Sequence, residues 1–193
     1  MNMQEEQKLI EKCQNGDFSA FSGLYDAYLS KIYRFVYYRV SHKETAEDLS
    51  SQVFLKALKA IGSADFSEKN FSAWLYKIAY NLLIDHYRGN KKDIDLEKAF
   101  NLSSDSDLML DVDKKQRIET LKKAVNILSP KQRDIVIMRV WDELSYKEIS
   151  VINGDSEDSC KVSFSRSLNK IKESLPLEYF ILIFLLNILK TNF

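Results

Sequence analysis

Apolar residues recur at helical spacing through nearly the whole chain. The longest such run returns to one face every three or four residues, at Phe21, Leu24, Tyr25, Tyr28, Ile32, Phe35 and Val36. This spacing predicts an amphipathic helix that buries one stripe. Tight turns are few, since the 193 residues include only 5 Gly and 2 Pro. Because a β-sandwich or barrel needs many such turns, the sequence predicts an all-α fold.

The periodicity falls into two blocks. The first block predicts helices over residues 4–14, 18–40, 43–61 and 71–88, and the second over residues 114–128, 130–140, 145–153 and 156–175. Ser41-His42 breaks the pattern of the first block after residue 40, and Ser129 and Gln132 form a predicted capping box, with Pro130 at the first helical position, for the helix over 130–140. Between them, residues 90–113 are polar, acidic in the middle and without a sustained period, which is typical of a linker. We therefore expect two small helical domains, residues 1–89 and 114–175, joined by the flexible linker 90–113 and followed by an apolar tail, 176–193.

Composition and motifs argue against an enzyme, a secreted protein and a metalloprotein. The 28 basic residues equal the 28 acidic ones, so no large net field indicates a nucleic-acid or membrane partner. Cys13 and Cys160 are isolated, which argues against a disulfide scaffold or zinc ribbon and fits a reduced, cytoplasmic compartment. The charged start of the chain is not a secretory signal. Phosphate-loop, dinucleotide and metalloprotease motifs are missing, and His42 and His86 have no nucleophile partner, so we predict no catalytic residues, metal, cofactor or small-molecule substrate.

Two capped helices near the end of the second block form a helix-turn-helix pattern. Ser145 and Glu148 make a capping box for a short helix, Gly154 lies in the turn, and Ser156 can cap a longer helix. The predicted outer face of the longer helix consists of Ser159, Val162, Ser165, Arg166, Asn169 and Lys170. Its polar members can bind phosphates and base edges in a major groove. An ordinary three-helix bundle with a solvated face is the alternative.

The helix over residues 71–88 carries a second candidate surface. Its predicted inner face consists of Phe71, Trp74, Leu75, Ile78, Ala79 and Leu82, and its predicted outer face consists of Tyr76, Lys77, Tyr80, Tyr87 and Arg88. Aromatic rings interleaved with cations suit single-stranded DNA, because bases stack on the rings while cations hold the backbone. An amphipathic helix with tyrosines at its boundary is the alternative.

The helix over residues 43–61 carries a third candidate surface. Its polar face consists of Asp48, Ser51, Gln52 and Lys56, with Leu55 exposed beside them. An exposed apolar residue among polar ones is typical of a protein docking face, and a merely solvated face is the alternative.

Three segments, in this order, resemble bacterial sigma factors of the extracytoplasmic-function (ECF) type. AEDLSSQVFLKAL resembles the family's A-E-D-L-x-Q-E-x-F-L-x-x segment, and FSAWLYKIAYNLLIDHYR resembles F-x-x-W-L-x-x-I-A-x-N-x-x-x-D-x-x-R. LSPKQRDIVIMRVWDELSYKEIS resembles L-P-x-x-x-R-x-x-x-x-L-x-x-x-x-x-L-S-Y-x-E-I-A. The likeness covers about residues 5–89 and 118–175.

This resemblance implies a function and residue roles. The protein would bind core RNA polymerase and direct sequence-specific promoter recognition and transcription initiation. Its first domain would dock on the polymerase and read the minus-ten promoter element, with the loop 63–70 capturing a flipped base. Its second domain would read the minus-thirty-five element. The implied docking residues are Asp48, Ser51 and Gln52, the minus-ten residues are Tyr76, Lys77, Tyr80, Asn81 and Arg88, and the minus-thirty-five residues are Ser159, Lys161, Val162, Ser163 and Arg166.

The chain departs from the family pattern at three places. Ser51-Gln52 replaces Gln-Glu, and the recognition helix lacks an arginine and gains Asp158. Asp155 lies where an apolar residue normally packs. The changes in the recognition helix bear on affinity for the upstream element rather than on the fold.

The neutral charge is consistent with a sigma factor, because such a protein can borrow the polymerase's positive charge. Two other functions stay open: a stand-alone helix-turn-helix transcriptional regulator and a helical adaptor that binds no DNA. Binding of core polymerase distinguishes the first function from both.

The tail after Pro176 lies outside the resemblance. Residues 177–189 are strongly apolar but would span only about 20 Å as a helix, against about 30 Å for a bilayer core. We expect a helix that folds back as a lid or binds a regulatory protein such as an anti-sigma factor; an altered reading frame is the alternative.

Overall fold

The computed structural model describes residues 1–40, 42–66, 70–89 and 127–174, and all regular structure within these ranges is helical. The prediction of an all-α fold is confirmed. The helices are α1 (Met3–Gln14), α2 (Phe21–Val40), α3 (Lys43–Ala60), α4 (Phe71–Gly89), α5 (Pro130–Val140), α6 (Tyr146–Asn153) and α7 (Glu157–Ser174), with 3₁₀ turns at Phe18–Ala20 and Ile61–Ser63. The described residues separate into two compact units, one within residues 1–89 together with 151–154 and the other within residues 127–150 together with 155–174.

Local capping defines the helix ends in the first unit. A capping box between Asn2 and Glu5 opens α1, and Gly16 takes the left-handed backbone conformation just after it, at φ +93°. Asp17 then caps the 3₁₀ turn that precedes α2, so the single helix predicted from Phe18 is divided at this turn. His42, which the sequence marked only as a break, is the N-cap of α3.

The core of the first unit is formed where α1, α2, α3 and α4 pack together. Its buried side chains include Ile10, Cys13, Leu24, Ile32, Phe35, Val36, Leu49, Val53, Ala57, Ile61, Leu75, Ala79 and Leu82. Arg39 is also buried, with its guanidinium 3.7 Å from the ring centroid of Phe35 and a 2.8 Å hydrogen bond to the Phe35 carbonyl. The cation is therefore held by an aromatic face and a backbone acceptor, as burial of a charge requires.

The second unit shows all three predicted caps. Ser129 and Gln132 form a capping box for α5, with Pro130 at its first position. Ser145 and Glu148 form another for α6, and the Ser156 hydroxyl accepts the Ser159 N–H at 3.1 Å to cap α7.

Residues in the left-handed backbone conformation make the connections from α5 to α6 and from α6 to α7. Glu143 lies between α5 and α6 at φ +59°, and Gly154 lies between α6 and α7 at φ +80°. The buried residues that hold the three helices together include Ile135, Val136, Met138, Ile149, Ile152, Cys160 and Ile171. Both cysteines are buried and unbridged, so they pack as small apolar residues.

The linker 90–113, the greater part of the predicted helix 114–128 and the tail 176–193 lie outside the described residues. Within the part of the chain that is described, no helix combines the length and apolar character needed to cross a membrane.

Candidate functional site

The buried side of α4 is rotated relative to the face predicted from the sequence. Its buried residues are Phe71, Ala73, Leu75, Tyr76, Ala79, Leu82 and Leu83. Trp74 and Ile78, predicted to point inward, are only half-buried at the boundary. The solvent side is correspondingly shifted, and this shift decides which candidate residues can reach a ligand.

Tyr76 is a correction to the sequence prediction. The sequence pattern predicts it on the outer face, but its side chain is 1% exposed and its ring meets that of Phe35 edge-on, with centroids 4.9 Å apart. Such T-shaped pairs are favoured inside proteins because the ring edge is positive and the ring face negative. Tyr87 is half-buried as well, with its hydroxyl donating to the Arg39 carbonyl of α2. The Tyr76 ring therefore offers no open face to a base, and the Tyr87 hydroxyl is engaged within the first unit.

Lys77, Asn81 and Arg88 do share one side of α4. Asn81 and Arg88 are exposed and Lys77 is half-buried, and the three positions lie within about 40° of one another around the helix axis. Tyr80 lies at the edge of this side, half-buried, and its ring centroid is 5.9 Å from the Lys77 ammonium. The surface thus combines an aromatic ring, two cations and an amide. We call Lys77, Tyr80, Asn81 and Arg88 the α4 surface.

An aromatic cluster joins the start of α4 to the loop before it. The Phe66 ring lies edge-on to Trp74, with centroids 5.3 Å apart, and also contacts Phe71 at 6.0 Å. Asn70 caps α4 by accepting the Ala73 N–H at 2.7 Å. Sequence reasoning missed Phe66, because a single aromatic in a polar loop has no periodic neighbours. Residues 67–69 of the predicted base-capturing loop are outside the described residues.

The three predicted docking residues lie together on exposed α3. Gln52 donates a 2.8 Å hydrogen bond to the Asp48 carboxylate one turn earlier, and the Ser51 hydroxyl bonds to the Glu47 carbonyl at 2.8 Å. Leu55 is 53% exposed beside them. The α3 face, defined as Asp48, Ser51, Gln52 and Leu55, therefore pairs an apolar side chain with an oriented amide and carboxylate.

The predicted recognition helix is α7, and its candidate residues do not all share a face. Ser159, Val162 and Arg166 are exposed on the side opposite the buried Cys160 and Ile171. We call Ser159, Val162 and Arg166 the α7 face. Ser163 is half-buried, and its carbonyl accepts a 2.7 Å hydrogen bond from the buried Ser167 hydroxyl.

Lys161 points to a different side of α7 from Arg166 and is engaged by acids. Its ammonium lies 2.9 Å from Glu157 and 3.4 Å from Asp158. The hydrogen bond to Glu157, assisted by Asp158, raises the pKa of Lys161 above its usual value. The cation is therefore partly neutralised within its own first turns, which reduces what it can offer a phosphate.

Asp155, the departure in the turn before α7, has a partner. Its carboxylate lies 2.7 Å from the Lys131 ammonium, and its side chain is only 16% exposed against 62% for the lysine. An ion pair between the turn and the first turn of α5 thus replaces the apolar contact expected at this position.

No group of His, Cys, Asp and Glu side chains in the described ranges could hold a metal ion.

Two family models match the chain. "Sigma-70 region 2" covers residues 24–93 and "Sigma-70, region 4" covers residues 118–171. The first match contains the α3 face and the α4 surface, and the second contains α5, α6 and α7 as far as residue 171. The chain belongs to the sigma-70 family.

Similarity to curated relatives assigns this sigma factor to the ECF type. It is 35% identical to the ECF RNA polymerase sigma factor BldN of Streptomyces coelicolor over 88% of its own length and 65% of that protein. It is 31% identical to the ECF RNA polymerase sigma factor SigW of Bacillus subtilis over 87% of its own length and 95% of that protein. The chain is an ECF sigma factor, and it directs RNA polymerase to promoters.

Solved structures show the same fold. CnrH, in a complex with the cytosolic domain of CnrY, matches with a TM-score of 0.65 at 16% identity, over 88% of this chain and 96% of that one. RpoE of Bartonella quintana, in a complex with the anti-sigma factor NepR, matches with a TM-score of 0.62 at 24% identity, over 81% of this chain and 97% of that one.

Proposed function

We propose that residues 1–89 dock on core RNA polymerase and open and read the minus-ten element, while residues 114–175 read the minus-thirty-five element. Residues 90–113 would join these two domains. The observation that carries this assignment is that the α3 face, the α4 surface and the α7 face each combine side chains of a different chemistry. Core enzyme with this chain should give promoter-dependent run-off transcripts, and a failure to bind core polymerase would contradict the assignment.

The protein catalyses no reaction itself, uses no cofactor and acts in the cytoplasm, where its polymerase and promoter partners are found. Its formal net charge of zero suits this role. A free DNA-binding protein depends on its own phosphate contacts, whereas a sigma factor can use the charge of the polymerase. We therefore expect weak, strongly salt-dependent binding to DNA by the isolated chain and tight binding by the holoenzyme.

The α4 surface is proposed to hold the melted minus-ten strand. Tyr80 supplies a ring for stacking, Asn81 can hydrogen-bond a base edge, and the Arg88 cation follows the phosphates. Lys77 contributes less, because its ammonium donates a 2.5 Å hydrogen bond to the Ile152 carbonyl. Tyr76, which the family resemblance also implied, is left out of this surface because it is 1% exposed.

Replacing Tyr80 tests the stacking role. Since a stacked base contributes about 1–3 kcal/mol, Tyr80→Ala should reduce promoter opening about tenfold, measured by permanganate reactivity of unpaired thymines. Tyr80→Phe is the matched control, because it keeps the ring, and it should open promoters normally. Core affinity should be unchanged in both variants. Equal defects in the two variants would contradict stacking.

The α3 face is proposed as the contact with core polymerase. An exposed leucine beside a carboxylate and an amide provides an apolar anchor with a polar rim, the usual anatomy of a protein interface. Leu55→Asp should weaken core binding at least tenfold in a fluorescence titration, because it places a charge in the apolar anchor. Lys59→Ala, an exposed change one turn further along α3, is the control and should bind normally.

The α7 face is proposed to enter the major groove of the minus-thirty-five element. Arg166 can bind a guanine edge or a phosphate, and Ser159 can bond to either. Ser163 and Lys161 contribute less, since Ser163 is half-buried and Lys161 is paired with Glu157. Arg166→Ala should weaken holoenzyme binding to promoters that depend on the minus-thirty-five element. It should leave binding unchanged at promoters that are recognised without that element.

An anti-sigma factor is the proposed regulatory partner, and the apolar tail 176–193 is its proposed site or an intramolecular lid. Deletion of residues 177–193 tests this role. If the shortened protein is equally soluble, stable and active with core polymerase, the tail has neither function. If only the full-length protein sediments with membranes, a membrane role replaces the proposal.

A further inference from the structure

Val162 is the one apolar side chain within the α7 face, and it is 48% exposed. Asp158 precedes it by one turn and Arg166 follows it by one turn, so the three side chains form a single row along the helix. Val162 does not contribute to the core of the second unit, because the buried residues of α7, which include Cys160 and Ile171, lie on the opposite side of the helix.

A major groove offers one apolar feature to such a side chain. In the major groove, base edges present hydrogen-bond donors and acceptors, and the one apolar group among them is the C5-methyl group of thymine. A valine placed against any other edge would leave a polar group unpaired, which costs free energy. Valine also has one strongly preferred rotamer in a helix, so little side-chain entropy is lost when its methyl groups meet a partner.

We propose that Val162 is a specificity-determining residue that reads the methyl group of a thymine in the upstream promoter element. The inference rests on the proposed function, in which α7 is the recognition helix. The position of Val162 supports it, because Val162 lies in the second turn of α7 and recognition helices contact base edges through their N-terminal residues. Arg166, one turn further on, can hold the adjacent backbone or a guanine.

Replacement of thymine by uracil tests the contact directly, because it removes only the methyl group. The upstream sequence is first selected from random DNA by holoenzyme made from core polymerase and the full chain. Each thymine of the selected element, on both strands, is then replaced singly by uracil, and holoenzyme affinity is measured at fixed salt. Burial of one methyl group changes affinity about fourfold.

We expect one thymine whose replacement weakens the unaltered protein about fourfold and leaves Val162→Ala unaffected. Val162→Thr, which keeps one of the two methyl groups, should retain part of the discrimination. Ile127→Ala is the matched control: Ile127 is 49% exposed in the same unit but lies outside α7, and its truncation should leave the discrimination unchanged.

An element without thymine, or equal thymine-to-uracil effects in Val162→Ala and the unaltered protein, would overturn the proposal while leaving α7 as a recognition helix. The Arg166→Ala measurement shows whether the proposed function of α7 itself fails. If neither Arg166→Ala nor any base change upstream alters binding, α7 does not enter the groove, and the proposed function fails with the inference.

Discussion

Tyr76 allows the strongest test of how α4 is oriented. Its ring is 1% exposed and packs edge-on against Phe35, which is itself fully buried. Tyr76→Ala would leave a cavity the size of the ring between α2 and α4. Truncation of a buried aromatic side chain typically costs about 3–5 kcal/mol, a large part of the roughly 5–15 kcal/mol that stabilises a domain. At roughly 4–8 °C for each kcal/mol, the melting temperature of the first unit should fall by more than ten degrees.

The two tryptophans make the assay specific, because Trp74 lies in the first unit and Trp141 in the second. In a Trp141→Phe background, the fluorescence of Trp74 reports urea unfolding of the first unit alone. Tyr76→Phe is the matched control, since it keeps the ring and removes only the hydroxyl, and it should lose no more than about 1 kcal/mol.

Tyr80→Ala provides the contrast. Because Tyr80 is half-buried at the edge of α4, its truncation should cost much less stability than Tyr76→Ala while reducing promoter opening. If Tyr76→Ala instead unfolded at the same urea concentration as the unaltered protein but failed to open promoters, Tyr76 would face the DNA. The orientation of α4 described above would then be wrong.

Three further results are expected. Lys131→Ala should destabilise the second unit by up to about 1 kcal/mol, with a smaller effect at high salt, because Asp155 loses a 2.7 Å partner; an equal loss at all salt concentrations would contradict an ionic origin. Glu143→Gly should stabilise the second unit by about 1 kcal/mol in thermal unfolding, because Glu143 is held at φ +59°, where glycine has no steric cost. A lower melting temperature of the variant would refute this reasoning. Burial raises the pKa of the Cys13 thiol, so iodoacetamide should modify it slowly in the native protein and rapidly in urea, and equal rates would show that the site is open.

The positions of helix ends were largely determined by sequence alone. Capping boxes at Ser129 and Ser145 and the cap at Ser156 were predicted and are present, because a cap depends on residues only three positions apart. The His42 cap was missed, since histidine is not among the residues that favour this position, and its role rests on the Thr45 N–H that its ring accepts.

The direction in which each helix face points was decided by tertiary structure. Spacing alone placed Tyr76 outward and Trp74 inward, yet packing against Phe35 on α2 turns Tyr76 into the core and leaves Trp74 at the boundary. Periodicity defines a stripe to within about a third of the helix circumference, and a tyrosine at its edge can lie on either side. Only the neighbouring helix resolves that choice, because it determines which side chains lose contact with water. Sequence thus identified the family, the helices and the general location of the three surfaces, whereas contacts between residues distant in the chain determined which side chains those surfaces expose.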